Sequence, residues 1–356
     1  DTISKRTLFV HLWVWLLDTL CNKEYSQIKR GTMNQQEREA WLNERKKGLG
    51  GTDVACILLS ACDDEAEKVG SFENSVFKLW TEKTNLFESD DVDDAVLMRG
   101  RVMEKYVCEF YGLHLGEGCK LWEEGLTWHP SRPRIFGTPD RLVEQNGVRF
   151  GMDAKTRRFR RGWGDSGTTD IPLDVEIQMR TYMEIFDAPY WDIATLFGLD
   201  DFRVYRIERD KELGAQILDV AEQWWDKHVE KQIPPDVDGT ALCKNVLGKL
   251  HKRIQDKPLR PATVAEKDLY EKIVEVRKQF KEIERKKQEL ENRLRAAIGD
   301  EPGIEGIATW KPSRKRRVFD KNKFRQDEPE MYEKYVTEQA GSRLLRIKEE
   351  RHDNST

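Results

Sequence analysis

The sequence predicts an α/β domain followed by an extension built on one long helix. Three observations carry this reading. Apolar stretches of period two interleave with amphipathic helical stretches over residues 33–236. Pro234-Pro235 and the Asp-Val-Asp-Gly-Thr that follows interrupt that pattern. From Leu269 onward, apolar residues recur at spacings of four and three. A chain of 356 residues accommodates two such parts.

Residues 1–32 differ from the rest. The stretch TLFVHLWVWLLDTL is apolar, but His11 and Asp18 interrupt it before it reaches spanning length. No small-residue cleavage site follows it, so a signal peptide is not expected. Met33 opens a segment that reads as a natural soluble start, and residues 1–32 are expected to be a non-native or disordered extension.

The elements of the first domain follow in order. NQQEREAWLNERKKG is helical with Trp41 and Leu42 inward. GGTDVACILLS turns into a helix capped by Thr52 or Asp53. DAVLMRGRVMEKYVCEFYG is amphipathic, with Val96, Met103, Val107 and Phe110 inward, Glu104 beside that stripe and Gly112 closing it. Two strands meet at Asn146-Gly147, a strong hairpin signal. A glycine- and arginine-rich loop then leads to the helix LDVEIQMRTYMEIF, two further strands, and a helix around Trp224 and Trp225. Residues 237–356 form the extension, with the long helix over about 262–298, a short hairpin, the basic cluster KPSRKRR and a last helix.

Composition excludes several function classes. With 38% hydrophobic and 35% charged residues, the chain reads as soluble and globular rather than membrane or fibrous. The net charge of -4 lacks the overall basic footprint of a nucleic-acid binder, so any polyanion site must be local. Six scattered cysteines without a CxxC pair argue against zinc, iron-sulfur clusters and a disulfide framework, and fit a reducing cytoplasm.

The chemistry concentrates in GTPDRLVEQNGVRFGMDAKT, residues 137–156. Strand alternation puts Asp153 and Lys155 on one face, and Asp140, near the end of the preceding strand, reaches the same spot. Two acids and a lysine on a hairpin also suit a solvated surface ladder, and Glu104 alone suits a helix salt bridge. The ordered set of Glu104, Asp140, Asp153, Lys155 and Gln178 points further. Its carboxylates and the Ala154 carbonyl suit one or two Mg²⁺ ions, with Mn²⁺ as a substitute, acting on a phosphodiester. Lys155 would orient or deprotonate the attacking water, and Gln178 would hold the lysine or the water.

RGRVMEKYV, GTPDR, MDAK and VEIQMRTYM together resemble the PD-(D/E)xK nuclease superfamily, specifically the lambda-exonuclease-like, YqaJ-type viral recombinase family. WLNERKKGLGGTDVACIL is similar to that family's N-terminal signature, and the similarity spans about residues 38 to 232. The resemblance implies a central mixed sheet flanked by helices and Mg²⁺-dependent 5′-to-3′ digestion of one strand of duplex DNA from its ends. It also implies a homo-oligomer, a toroidal trimer in many members, and a single-strand annealing partner in phage-type recombination in a bacterial cytoplasm. By motif, Glu104, Asp140 and Asp153 would be metal ligands, Lys155 the water-activating lysine and Gln178 its helper. Arg45, Thr52, Thr138 and Arg161 stand where the family binds the 5′-phosphate, with Arg157, Arg158 and Arg160 as alternatives to Arg161. Thr52 also suits a plain helix cap, and Arg45 a solvated helix position.

Two departures stand out. Asp153 occupies a position that is Glu in the lambda enzyme. An extra upstream acid of that enzyme has no counterpart near His129 and Pro130, which leaves the number of metals open. The loop TRRFRRGWGDSGTTD offers four arginines for phosphates, with Phe159 or Trp163 to stack on an unpaired base, although Trp163 also suits the core. Lys311 and Arg314–Arg317 form a second basic patch, on the DNA path or merely solubilising. Two other readings compete with the exonuclease. An endonuclease of the same superfamily needs the acids and Lys155 but no 5′-phosphate pocket. A catalytically silent DNA-end or partner-binding protein would use the long helix for assembly.

Overall fold

The computed structural model describes residues 35–62, 64, 68–86, 94–198, 200–251, 258–338 and 345–347. The expected extension over 1–32 and the side chain of Val96 lie outside that description. Two compact units divide at His251 and Lys252. The first therefore reaches beyond the expected boundary at 236. It does so because helix α7 (Ala241–Leu250) buries Cys243 and Val246 against Phe77 and Trp80 of helix α3 (Val76–Lys83).

In the first unit, α1 (Gln35–Arg45) leads into α2 (Gly51–Ser60). The cap of α2 is Gly50, whose N–H donates to Asp53 Oδ2 at 2.9 Å, so the capping side chain is that of Asp53 and not that of Thr52. Helix α4 (Asp94–Leu115) runs through Gly112 rather than stopping there. Within it Val107, Cys108 and Tyr111 are buried, while Phe110 is exposed against the edge of Phe202. Leu42 of α1 is likewise exposed rather than inward, because only part of that short helix packs.

The sheet has the order β1-β4-β5-β6-β7, with β1 (Cys119–Trp122), β4 (Arg141–Gln145), β5 (Val148–Arg157), β6 (Tyr190–Phe197) and β7 (Asp201–Glu208). A separate two-stranded ladder pairs β2 (Thr127–Trp128) with β3 (Phe136–Gly137). Strands β4 and β5 form the expected hairpin, and both turn residues, Asn146 and Gly147, have positive φ as the tight turn requires. Strand β6 lies parallel to β5, reached through helix α5 (Leu173–Phe186), and β7 returns antiparallel. The sheet is thus mixed and covered on both faces. Val107, Cys108 and Tyr111 of α4 pack on Phe150, Met152 and Ala194. Helices α2, α5 and α6 (Lys211–Trp225) cover the opposite face around Met179, Trp191 and Ile193.

The second unit contains α8 (Val264–Ile298), started by a reciprocal cap between Thr263 and Glu266, and the hairpin β8 (Gly303–Ile304)/β9 (Ala308–Thr309). The expected last helix is two short ones, α9 (Lys321–Asp327) and α10 (Pro329–Tyr335), because Pro329 lacks the N–H needed to continue α9. The basic cluster at 311–317 is exposed and non-helical. Among the described residues no helix is long and apolar enough to cross a membrane.

Candidate active site

The site forms where the β4–β5 ladder ends. Its last pair is Arg141 with Met152, so beyond Met152 no strand among the described residues lies beside the β4-side edge of β5. Asp140 fills that gap, with Oδ2 accepting the Ala154 N–H at 2.8 Å. The N–H and C=O of one strand residue point to the same edge, so the Ala154 carbonyl faces the gap as well. Asp153 and Lys155 share the opposite face of β5, where α5 brings Gln178. Lys155 Nζ donates to Asp153 Oδ2 and, at 3.1 Å, to Gln178 Oε1. Gln178 Nε2 donates to the Tyr182 hydroxyl at 3.0 Å, which donates to the Thr138 carbonyl at 3.2 Å. One chain of hydrogen bonds therefore fixes the lysine relative to the segment between β3 and β4 that carries Asp140. Gly51 makes room for it, since a Cβ there would lie 2.9 Å from Gln178 Cγ.

Glu104, on α4, approaches with one oxygen 3.8 Å from Arg141 NH1. Burial raises the Glu104 carboxyl; Arg141 opposes this and the Asp153 charge adds to it. Asp140 is raised well above the usual carboxylate range, by burial first and then by Asp153 and Glu104. Asp153 is 2% exposed, and its Oδ1 is buried with no hydrogen-bond partner among the described residues. Among the described residues, no three His, Cys, Asp or Glu side chains converge closely enough to form a ready-made cation cage. The three acids nevertheless sense one another's charge, and one buried oxygen stands unsatisfied. A hard divalent cation would relieve both, and the oxygen donors present fit it.

The expected phosphate-binding residues fall into two groups. Near the acids, the Arg45 guanidinium lies 4.6 Å from the Trp41 ring centroid and 5.5 Å from that of Phe136. Thr138 Oγ1 is buried without a partner, and Thr52 is exposed on the first turn of α2. The second group lines a cleft of about 400 Å³ at the end of β5, with Arg157, Arg158, Phe159 and Arg161 facing Gly70 and Phe72. Arg157 stacks 4.6 Å from Phe72, and its Nε has no partner. Burial pushes its pKa down despite Asp174 and Asp153. Arg158 lies over the Phe159 ring at 5.1 Å.

Two of the residues expected on the DNA path have partners within the chain. Arg160 is committed to its own loop, donating to the Gly164 carbonyl and Asp165 Oδ1, both at 2.9 Å. Trp163 is 6% exposed and wedged between Phe197 and Tyr205, so as placed it serves the core and Phe159 is the exposed aromatic. Accordingly, Trp163→Ala should cost about 3–5 kcal/mol of stability in urea unfolding. Unchanged stability with weakened DNA binding would contradict this assignment.

Sequence reasoning missed Tyr182 and Lys83. Tyr182 was within reach, being one helical turn after Gln178. Lys83 had no local signal. It comes from α3, bonding Asp53 Oδ2 at 2.7 Å and the Arg45 carbonyl at 2.9 Å. Burial alone would raise the Asp53 carboxyl, but Lys83 and Arg45 outweigh it and hold it low.

The chain is 25% identical to the uncharacterized protein YqaJ of Bacillus subtilis (strain 168) over 323 residues, 89% of this chain and 96% of that protein. Among solved structures, an alkaline exonuclease from Laribacter hongkongensis aligns with 60% of this chain and 100% of its own, at 17% identity and a TM-score of 0.40. A phage related exonuclease from Haemophilus somnus 129PT aligns with 52% of this chain and 96% of its own, at 16% identity and a TM-score of 0.34. Residues 40–189 match the YqaJ-like viral recombinase domain family.

Proposed function

We propose that this protein is a Mg²⁺-dependent deoxyribonuclease that digests one strand of duplex DNA from its 5′ end, leaving 3′ tails for a single-strand annealing protein. The observation that carries the reading is Lys155 Nζ held between Asp153 and Gln178, beside a partnerless Asp153 oxygen and two acids with raised pKa values. Glu104, Asp140, Asp153 and the Ala154 carbonyl would hold the ion. Bound there, Mg²⁺ supplies the charge that polarises the phosphodiester and acidifies water. Lys155 orients the attacking water and offsets charge developing on the phosphoryl oxygens. Gln178, braced by Tyr182, keeps the ammonium in place. Arg45 and Thr138 receive the 5′-phosphate, with Thr52 at the rim, and Arg157, Arg158 and Arg161 line the path of the strand.

The test compares linear duplexes bearing 5′-phosphate or 5′-hydroxyl ends with a covalently closed circle, in the presence of Mg²⁺ or Mn²⁺. Release of nucleotides that prefers phosphorylated ends and spares the circle supports the reading. Nicking of the circle would replace it with an endonuclease, and binding without cleavage with a silent end-binding protein.

Metal binding has its own signature. Protons occupy the raised carboxyls of Asp140 and Glu104 at low pH, and the metal-free fold loses stability as pH rises through those pKa values. A divalent cation competes with the protons. Ca²⁺ should therefore raise Tm more on the alkaline side of those pKa values than on the acid side. A Ca²⁺ shift that does not change with pH would remove the acids from the cation site.

A further inference from the structure

We infer that α8 pairs with α8 of a second copy of this chain in antiparallel register. Leu269, Ile273, Val276, Phe280, Ile283, Lys287, Leu290 and Leu294 follow one another at alternating steps of four and three over about 38 Å of helix, the periodicity of a two-stranded seam. Among the described residues this seam has no cover. Its apolar side chains other than Ile273 range from 36% exposed at Leu294 to 65% at Ile283. Water-facing apolar surface of that length is the usual mark of a protein contact.

Lys287, at a core position of the seam, selects the orientation. In a parallel pair, each core residue meets its own copy, so two Lys287 ammonium groups would face each other. In an antiparallel pair centred between Lys281 and Glu282, Lys287 meets Val276 of the second copy. Leu269 then meets Leu294, Ile273 meets Leu290, and Phe280 meets Ile283. Every apolar residue except Val276 finds an apolar partner, and the Lys287 stem lies along Val276. Its ammonium points outward to Glu291 of its own helix, already 3.7 Å away.

The flanking charges set the register. This alignment brings Arg277 beside Glu284 of the second copy, twice by symmetry, and Gln279 beside Lys286. Lys272 falls near Arg293, an unfavourable pair, but at the two ends of the seam where solvent screens it. The parallel alternative places Lys272 beside Arg277 and keeps the buried lysine pair. The antiparallel pairing is therefore the one this sequence supports.

Sedimentation equilibrium of the full chain tests it. The measured change is in association, on top of any contact the first unit makes for itself. Ile283→Asp should reduce the assembled mass. Arg277→Glu should weaken association roughly five- to tenfold, and adding Glu284→Lys should restore it, with helical content unchanged by circular dichroism. A wild-type chain that is monomeric at micromolar concentration overturns the proposal, as does a mass indifferent to Ile283→Asp. Tighter association of Arg277→Glu would indicate the parallel pair, through Lys272. Failure of the double exchange to rescue the single would rule out the Arg277–Glu284 contact and the register with it.

Discussion

Lys155→Ala is expected to lower DNA hydrolysis by at least about 10³-fold while duplex binding and fold are retained. The ammonium is held by Asp153 and Gln178, so it is positioned before any substrate arrives. In the proposed mechanism its removal deletes the group that would orient water and offset developing phosphoryl charge. Under the proposed reading Arg157, Arg158 and Arg161, which line the nearby cleft, would carry the phosphate contacts, so binding should survive. Single-turnover cleavage alongside a binding isotherm separates the two effects. Equal losses in cleavage and binding would make Lys155 a phosphate-binding residue. A loss below about tenfold would displace it from the reaction altogether.

How much of this was legible depends on how local each signal is. Asn146-Gly147 fixes the hairpin register by turn geometry, and that register places Asp140 beside the Ala154 N–H. The Asp-x-Lys spacing puts Asp153 and Lys155 on one face whatever the remainder of the chain does. The role of each loop arginine was not readable, because composition alone cannot distinguish one bonding its own loop, as Arg160 does, from one stacked on a distant ring, as Arg157 does on Phe72. Trp163 illustrates the same limit: its glycine-rich surroundings read as mobile, yet Phe197 and Tyr205 from two strands enclose it. Phe110 and Leu42 missed in the other direction. Their helical positions matched the apolar face, but the neighbouring elements do not extend far enough to cover them. In α8 the period was legible and an intramolecular partner was not, because among the described residues none covers it.

Asp140→Asn should separate stability from activity in opposite directions. The Asp140 carboxyl is raised by burial, by Asp153 and by Glu104, so in the metal-free protein an ionised Asp140 is an unfavourable charge. An amide in its place keeps an oxygen for the Ala154 N–H and turns an NH₂ donor toward its acidic neighbours. Replacing a poorly compensated buried charge in this way should stabilise the metal-free fold by roughly 1–3 kcal/mol, with Tm rising by roughly 2–4 °C per kcal/mol. The same change removes one anionic donor from the proposed cation site. Cleavage should fall by about 10²–10³-fold or more, and the Ca²⁺-dependent rise in Tm should shrink. A variant that loses both stability and activity would mean Asp140 is structural, its charge compensated by Lys155. A variant with higher Tm and intact cleavage would show that the acids do not form the cation site. Only the combination of a higher metal-free Tm, a weaker Ca²⁺ response and lost cleavage follows from carboxylates held close together to await a cation.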